Sequence, residues 1–86
     1  MTYRTSPLTS AERRDYDTWS PRSACQGKDP EMFSTRSRIP EAKAVCDTCP
    51  VRRSCLSWAL ETDQTGGVWG GLAEQERLQL QLRIAA

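Results

Sequence analysis

The chain has 86 residues, enough for one small domain, with 37% apolar residues and a net charge of +1. A chain of this composition buries only a thin core, so we expect a cross-link or a bound metal to stabilise it. The near-neutral charge indicates no general affinity for nucleic acid or membranes, and the absence of histidine excludes His-ligated zinc fingers, Rieske-type clusters and histidine-base catalysis.

The N-terminal part predicts a tail and one short helix. Residues 1–8 are expected to be a disordered tail, and residues 9–86 to form a single domain. Thr9 and Glu12 match a capping box, in which each residue binds the backbone of the other. The pattern therefore predicts a helix that runs to about Thr18.

The following loop predicts a second helical segment. Asp29 is a typical N-cap residue and Pro30 suits the first helical turn. One or two helical turns here would direct Met32 and Phe33 into the core. The polar stretch that follows, "STRSR", is expected to be exposed.

Proline and glycine divide the rest of the chain. Pro40 suits the start of a helix that must end near Asp47–Cys49, because Pro50 cannot continue that helix but can begin another. That next helix has one apolar face, formed by Val51, Cys55, Trp58 and Ala59. The glycine-rich segment "GGVWGG" is expected to end it.

A last helix is predicted in "LAEQERLQLQLRIAA", with Leu78, Leu82 and Ala85 on one face. No segment alternates apolar and polar residues as a strand does. The sequence therefore predicts an all-α protein of four or five short helices.

Three of the four cysteines lie in "CDTCPVRRSC", as Cys46-x2-Cys49-x5-Cys55, and Cys25 lies upstream. No signal peptide or membrane-spanning run is evident, so we expect a cytoplasmic protein, where structural disulfides are rare. An all-cysteine ligand set suits zinc or an iron–sulfur cluster, and the spacing leaves both open.

A thiol–disulfide enzyme is a further alternative. Thioredoxin-type chemistry places Cys-x-x-Cys at a helix N-terminus after a strand, where the helix dipole lowers the thiol pKa. Here the pair lies at the end of a predicted helix without a preceding strand, which argues against dedicated catalysis. The neighbouring charges of Asp47, Arg52 and Arg53 could tune such a centre, but we expect them to be solvated.

The order of these cysteines, followed by Gly67-Val68-Trp69-Gly70-Gly71, resembles the WhiB-like family of actinobacterial and actinophage regulators. The segments "DPEMF", "AKAVCDTCPV", "CLSWAL" and "GVWGGL" carry the likeness as well. It covers about Trp19 to Arg77. The full cysteine pattern joined to the Gly-Trp turn is highly specific.

The resemblance implies a helical domain packed around one [4Fe–4S] cluster per chain, which responds to nitric oxide and oxygen. Its ligands would be Cys25, Cys46, Cys49 and Cys55. It also implies a transcriptional role, without enzymatic activity, in a protein that is a monomer on its own. Apo forms in the family carry disulfides, and disulfide reductase activity has been proposed for some. A zinc-stapled interaction module is the other alternative.

The resemblance further implies a partner, the C-terminal domain of the primary sigma factor of RNA polymerase, with promoter DNA as a possible second contact. The contact residues would be Gly67, Val68, Trp69, Gly70 and Gly71. Glycines permit close approach and a Trp on such a turn is a typical binding anchor. A lid over the cluster is an equally compatible role for Trp69.

Two features depart from the family pattern. The segment after Gly71 carries Arg77 and Arg83 against two glutamates, so it lacks the basic character that DNA binding requires, and we expect weak DNA binding. Ala73 stands where the family commonly has a capping Ser or Thr. We therefore expect the last helix to begin late, fray or order only on a partner.

Overall fold

The computed structural model describes residues 7–85. They form four α-helices: α1 (Ser10–Trp19), α2 (Ile39–Asp47), α3 (Arg52–Glu61) and α4 (Glu74–Ala85). Between α1 and α2 lie the 3-10 helices Ser20–Arg22, Pro30–Phe33 and Arg36–Arg38. This part of the chain contains no strand, only an isolated bridge between Trp69 and Leu72. The all-α prediction is confirmed.

Local capping sets the start of α1. The Thr9 amide donates to Glu12 Oε1 at 2.8 Å, and Thr9 Oγ1 accepts from the Glu12 amide at 3.1 Å, which completes the predicted capping box. The helix ends at Trp19. Of the tail predicted for residues 1–8, residues 1–6 lie outside the described residues, and Leu8 packs against the core.

The second helical segment is a 3-10 helix rather than an α-helix. Asp29 caps it by accepting from the Glu31 amide at 3.0 Å, and Arg38 Nη1 donates to the other carboxylate oxygen of Asp29 at 2.9 Å. One turn is enough to place Met32 and Phe33, both half-buried, against the core as predicted.

The corner between α2 and α3 differs from the prediction by two residues. α2 ends at Asp47, within the predicted boundary, but Pro50 does not begin α3. Instead the Arg52 amide donates to the Cys49 carbonyl at 3.3 Å, so Pro50 forms part of a separate turn. The N-cap of α3 is therefore Val51, whose φ of −112° and ψ of 24° lie outside the helical region.

α3 ends before the glycine-rich segment, so the prediction that these glycines terminate the helix is wrong. α3 ends at Glu61, and Asp63 adopts a left-handed conformation with φ of 51°. The Gln64 amide then donates back to the Ala59 carbonyl at 3.0 Å. Asp tolerates this backbone conformation better than most residues, so it can close the helix as glycine commonly does.

The core consists of two apolar clusters. The first, the tryptophan cluster, is built on buried Trp19, Val51 and Trp58, with Leu8, Tyr16, Cys49, Cys55 and Trp69 packed against it. The second, the α2 cluster, is built on Ala42, Cys46 and Val68, with Met32, Phe33 and Ile39 packed against it. The predicted core role of Trp58 is confirmed, and its indole Nε1 donates to the Glu12 carbonyl at 2.9 Å. Cysteines therefore belong to both halves of the core.

The last helix begins directly after Ala73, which corrects the expectation of a late start. The Ala73 carbonyl accepts from the Arg77 amide at 3.0 Å, and the Ala73 amide donates to Glu76 Oε1 at 2.9 Å. The side chain of Glu76 thus supplies half of a capping box without a hydroxyl at position 73. Leu78 is half-buried, whereas Leu82 on the same predicted face is 54% exposed. A membrane-spanning helix is absent from the described residues.

Ala73→Ser should stabilise the protein by about 0.5–1 kcal/mol, because Ser can complete the capping box that Glu76 already half forms. Denaturant unfolding measures this free energy. The matched control is Ala44→Ser, an exposed position inside α2, where Ser should lower stability by up to about 0.5 kcal/mol. Equal effects of the two substitutions would show that α4 is not capped in this way.

Candidate metal centre

All four cysteines line one cavity of about 320 Å³. Cys25 comes from the loop after the first 3-10 helix, Cys46 from the last turn of α2, Cys49 from the following corner and Cys55 from α3. All four are free thiols. The structure therefore brings together the four residues that the sequence predicted as ligands.

The Cys25 loop is held against the corner by hydrogen bonds of its neighbours. The Ala24 amide donates to Cys49 Sγ at 3.4 Å, and the Gln26 side-chain amide donates to the Ser20 carbonyl at 3.0 Å. Cys25 itself is exposed, while Cys46 is buried and the other two thiols are half-buried. The cavity is thus lined by residues of the helices and of this loop.

Burial makes the thiolate form costly at two of these positions. It raises the pKa of the Cys46 thiol, and a backbone hydrogen bond from Gly71 partly offsets this effect. Burial likewise raises the pKa of Cys55 to about 12, with an opposing backbone hydrogen bond from Gly70. A bound cation would favour the thiolate form at both positions.

The Gly-Trp turn (Gly67–Gly71) forms another wall of the cavity. Trp69 and Leu72 exchange backbone hydrogen bonds of 3.0 and 3.1 Å, which close the turn. The Val68 amide donates to the Phe33 carbonyl at 2.9 Å, tying the turn to the 3-10 helix before α2. Gly67, Val68, Trp69 and Gly70 all line the cavity.

Gly70 lies directly on the start of α3. Its φ is 59°, and a Cβ at this position would lie 2.5 Å from Leu56 Cβ and 2.9 Å from the Arg52 carbonyl oxygen. Only glycine fits both the left-handed backbone and the space.

Trp69 is half-buried and lines the cavity, with its ring 5.6 Å from that of Trp58. In this position the Trp69 ring can cover the cavity. The exposed remainder of the ring leaves surface for a partner, so the two roles predicted for Trp69 stay compatible.

Arg52 is a site residue that sequence reasoning missed. It is exposed, as expected, but its Nε also donates to the Gly70 carbonyl at 3.1 Å and its Nη1 lies 3.3 Å from an Asp47 carboxylate oxygen. It lines the cavity together with a second cation, Lys28. No local signal predicts the contact, because Gly70 lies 18 residues away.

The position of Arg77 differs from what the sequence predicts. The sequence analysis counted it among the basic residues of the C-terminal segment, yet only 3% of it is exposed. Its guanidinium donates to four backbone carbonyls around the Gly-Trp turn. It is therefore part of the interior and cannot contact DNA in this conformation.

Comparison with known proteins agrees with this architecture. A family model described as "Transcription factor WhiB" matches residues 19–80, most of the chain. The chain belongs to the WhiB family. The matched range contains all four cysteines and the Gly-Trp turn.

Several curated WhiB relatives are similar over most of their length. "Transcriptional regulator WhiB1" of Mycobacterium tuberculosis is 45% identical over 74 residues, covering 78% of this chain and 88% of the relative. "Transcriptional regulator WhiB1" of Bifidobacterium longum is 49% identical, covering 76% and 78%. "Transcriptional regulator WhiB" of Streptomyces coelicolor is 47% identical, covering 72% and 74%. This WhiB protein is thus a member of a family of transcriptional regulators.

Gly70→Ala should lower the free energy of unfolding by about 3 kcal/mol or more, since a left-handed backbone and a clash with Leu56 each cost about 1–2 kcal/mol. Gly66→Ala is the matched control, because Gly66 has a similar φ of 68° but no atom within 4 Å of an added Cβ. Denaturant unfolding of both variants separates the two costs. Equal losses would mean that the turn does not pack on α3 as described.

Proposed function

We propose that this WhiB protein binds one [4Fe–4S] cluster per chain through Cys25, Cys46, Cys49 and Cys55. The observation that carries the proposal is the convergence of all four thiols on a single cavity. An all-thiolate donor set suits iron–sulfur clusters, and amide hydrogen bonds to the sulfurs, as at Cys49, are a common means of tuning them.

A single zinc ion is the main alternative for the same ligands. Zinc requires its sulfur ligands within about 2.3 Å of one point. Within residues 7–85, no group of three or more His, Cys, Asp or Glu residues lies close enough together to hold one metal ion. The spacing of the thiols in the structure therefore does not match a preformed zinc site.

The transcriptional role would be exerted through a protein partner. We infer that the Gly-Trp turn, residues Gly67, Val68, Trp69, Gly70 and Gly71, binds the C-terminal domain of the primary sigma factor. The family membership supports a partner in the transcription machinery. The turn also lines the cavity, so the partner surface and the cluster would be direct neighbours.

This neighbourhood gives a physical route for a response to nitric oxide or oxygen. Both gases react with the iron of such clusters. The amides of Gly70 and Gly71 hydrogen-bond to Cys55 and Cys46. A change at the sulfurs would therefore alter hydrogen bonds that shape the turn, and with them the affinity for the sigma factor.

Direct binding of promoter DNA would be weak. The first turns of α4 carry Glu74 and Glu76, and Arg77 is buried, which leaves Arg83 as the exposed basic residue of that helix. Phosphate neutralisation supplies most non-specific affinity for DNA. We infer a cytoplasmic monomer that reaches promoters through the sigma factor.

A thiol–disulfide reductase function of the apo-protein has less support. A catalytic thiol is activated by a lowered pKa. Burial instead raises the pKa of Cys46, the first cysteine of the Cys-x-x-Cys pair, and this pair lies at the end of α2 rather than at a helix N-terminus. We therefore propose that the protein is not an enzyme.

Anaerobic purification followed by iron, sulfide and zinc analysis tests the cluster. About four irons and four sulfides per chain, with a visible absorption band bleached by nitric oxide, are expected. Cys25→Ser should lose the band, whereas Arg22→Ser, at an exposed position in the 3-10 helix before the Cys25 loop, should keep it. One zinc per chain without sulfide would contradict the proposed cluster and indicate a structural zinc module instead.

Trp69→Ala tests the partner surface. The variant should keep the visible band and lose affinity for the sigma C-terminal domain by about 30-fold or more, as expected for a binding hot spot. Ile84→Ala is the control, because Ile84 is 71% exposed on α4 and its loss removes apolar surface elsewhere. Calorimetry of the holoprotein measures both affinities. Wild-type affinity in Trp69→Ala, with the band intact, would contradict the proposed surface.

A further inference from the structure

Arg77 is a buried charged side chain with no part in binding the cluster. It is the fourth residue of α4, and 3% of it is exposed. A buried guanidinium persists in a protein only when its donors find acceptors. The buried position of the Arg77 guanidinium therefore depends on the hydrogen-bond acceptors around it.

Its acceptors are carbonyls on both sides of the Gly-Trp turn. Nη1 donates to the Gly67 and Leu72 carbonyls, each at 2.8 Å. Nη2 donates to the Gly66 carbonyl at 2.6 Å and to the Gln64 carbonyl at 3.2 Å. One planar group thus joins the residues that enter the turn to the residue that leaves it, which a lysine ammonium on a flexible stem cannot reproduce.

The helix that carries Arg77 is itself anchored to the rest of the domain. Glu74 accepts a hydrogen bond from the Gly66 amide. Glu76 forms an ion pair of 2.6 Å with Lys43 of α2. Gln81 donates to the Leu60 carbonyl at the end of α3, at 3.2 Å. Arg77 therefore holds the turn against a fixed support.

We propose that Arg77 is a positioning residue that fixes the Gly-Trp turn in its binding conformation before the partner arrives. The turn contains three glycines with positive φ, so an unrestrained turn would lose considerable conformational freedom on binding. A turn that is ordered in advance does not lose this freedom again when it binds. The part of this inference that concerns the partner rests on the proposed function; the restraint of the turn does not.

Arg77→Lys in the cluster-loaded protein tests the proposal. We expect faster hydrogen exchange at the Val68 and Trp69 amides, an unchanged visible band, and about tenfold weaker binding to the sigma C-terminal domain. Arg83→Lys makes the same change at an exposed position of α4 and should leave all three measurements at their wild-type values.

Gln81→Ala separates positioning from general stability, because it removes the hydrogen bonds of α4 to the Leu60 carbonyl and the Asp63 carboxylate but none to the turn. It should lower stability yet leave exchange in the turn and sigma affinity unchanged. If it weakens binding as much as Arg77→Lys does, or if Arg77→Lys leaves exchange in the turn unchanged, the proposal is overturned.

Native-state exchange of the wild-type protein at low denaturant covers the case in which Arg77→Lys does not fold. The Val68 and Trp69 amides should exchange through the same opening that releases the first turn of α4. Opening of α4 while these amides stay protected would overturn the proposal. Joint opening in a protein that does not bind the sigma domain would uphold the restraint by Arg77 and refute only the proposed partner.

Discussion

The gathering of four thiols around one cavity is the constraint on which the rest of this small structure depends. Both apolar clusters of the core end at that cavity: Cys49 and Cys55 pack against the tryptophan cluster, and Cys46 belongs to the α2 cluster. Neither cluster is large, as the low apolar fraction predicts. A cluster bound by all four thiols would join the two halves covalently, so that metal binding and folding become one event.

The surroundings of the thiols are arranged for negative charge. Four thiolates around a [4Fe–4S] core leave a net negative centre, and the cavity is lined by the cations Arg52 and Lys28. Backbone amides add partial positive charge at the sulfurs of Cys46, Cys49 and Cys55. Since two of these amides belong to the Gly-Trp turn, the group that stabilises the charge is also the proposed partner surface. Charge at the thiols and the proposed partner surface would therefore be linked through the backbone amides of the turn.

The parts of this structure that sequence could predict are the ones encoded locally. The capping box of Thr9, the cap at Asp29 and the buried face of Trp58 depend on residues a few positions apart, and all three are observed. The cysteine spacing likewise predicted that the four thiols converge, and all four line one cavity. The roles of Arg52 and Arg77 could not be predicted from the sequence, since their acceptors are backbone carbonyls brought near by the fold. A carbonyl carries no side-chain identity, so no sequence pattern marks it as the partner of an arginine.

The last helix shows how this changes the interpretation of a whole segment. From the sequence, α4 is a nearly neutral segment that is expected to bind DNA weakly. In the structure its polar residues point to the domain itself: Glu76 pairs with α2, Gln81 binds the end of α3, and Arg77 holds the turn. A basic side chain that satisfies four carbonyls in the interior cannot also neutralise phosphate. The missing basic surface and the well-held turn are thus two consequences of one arrangement, the burial of Arg77 against the carbonyls of the turn.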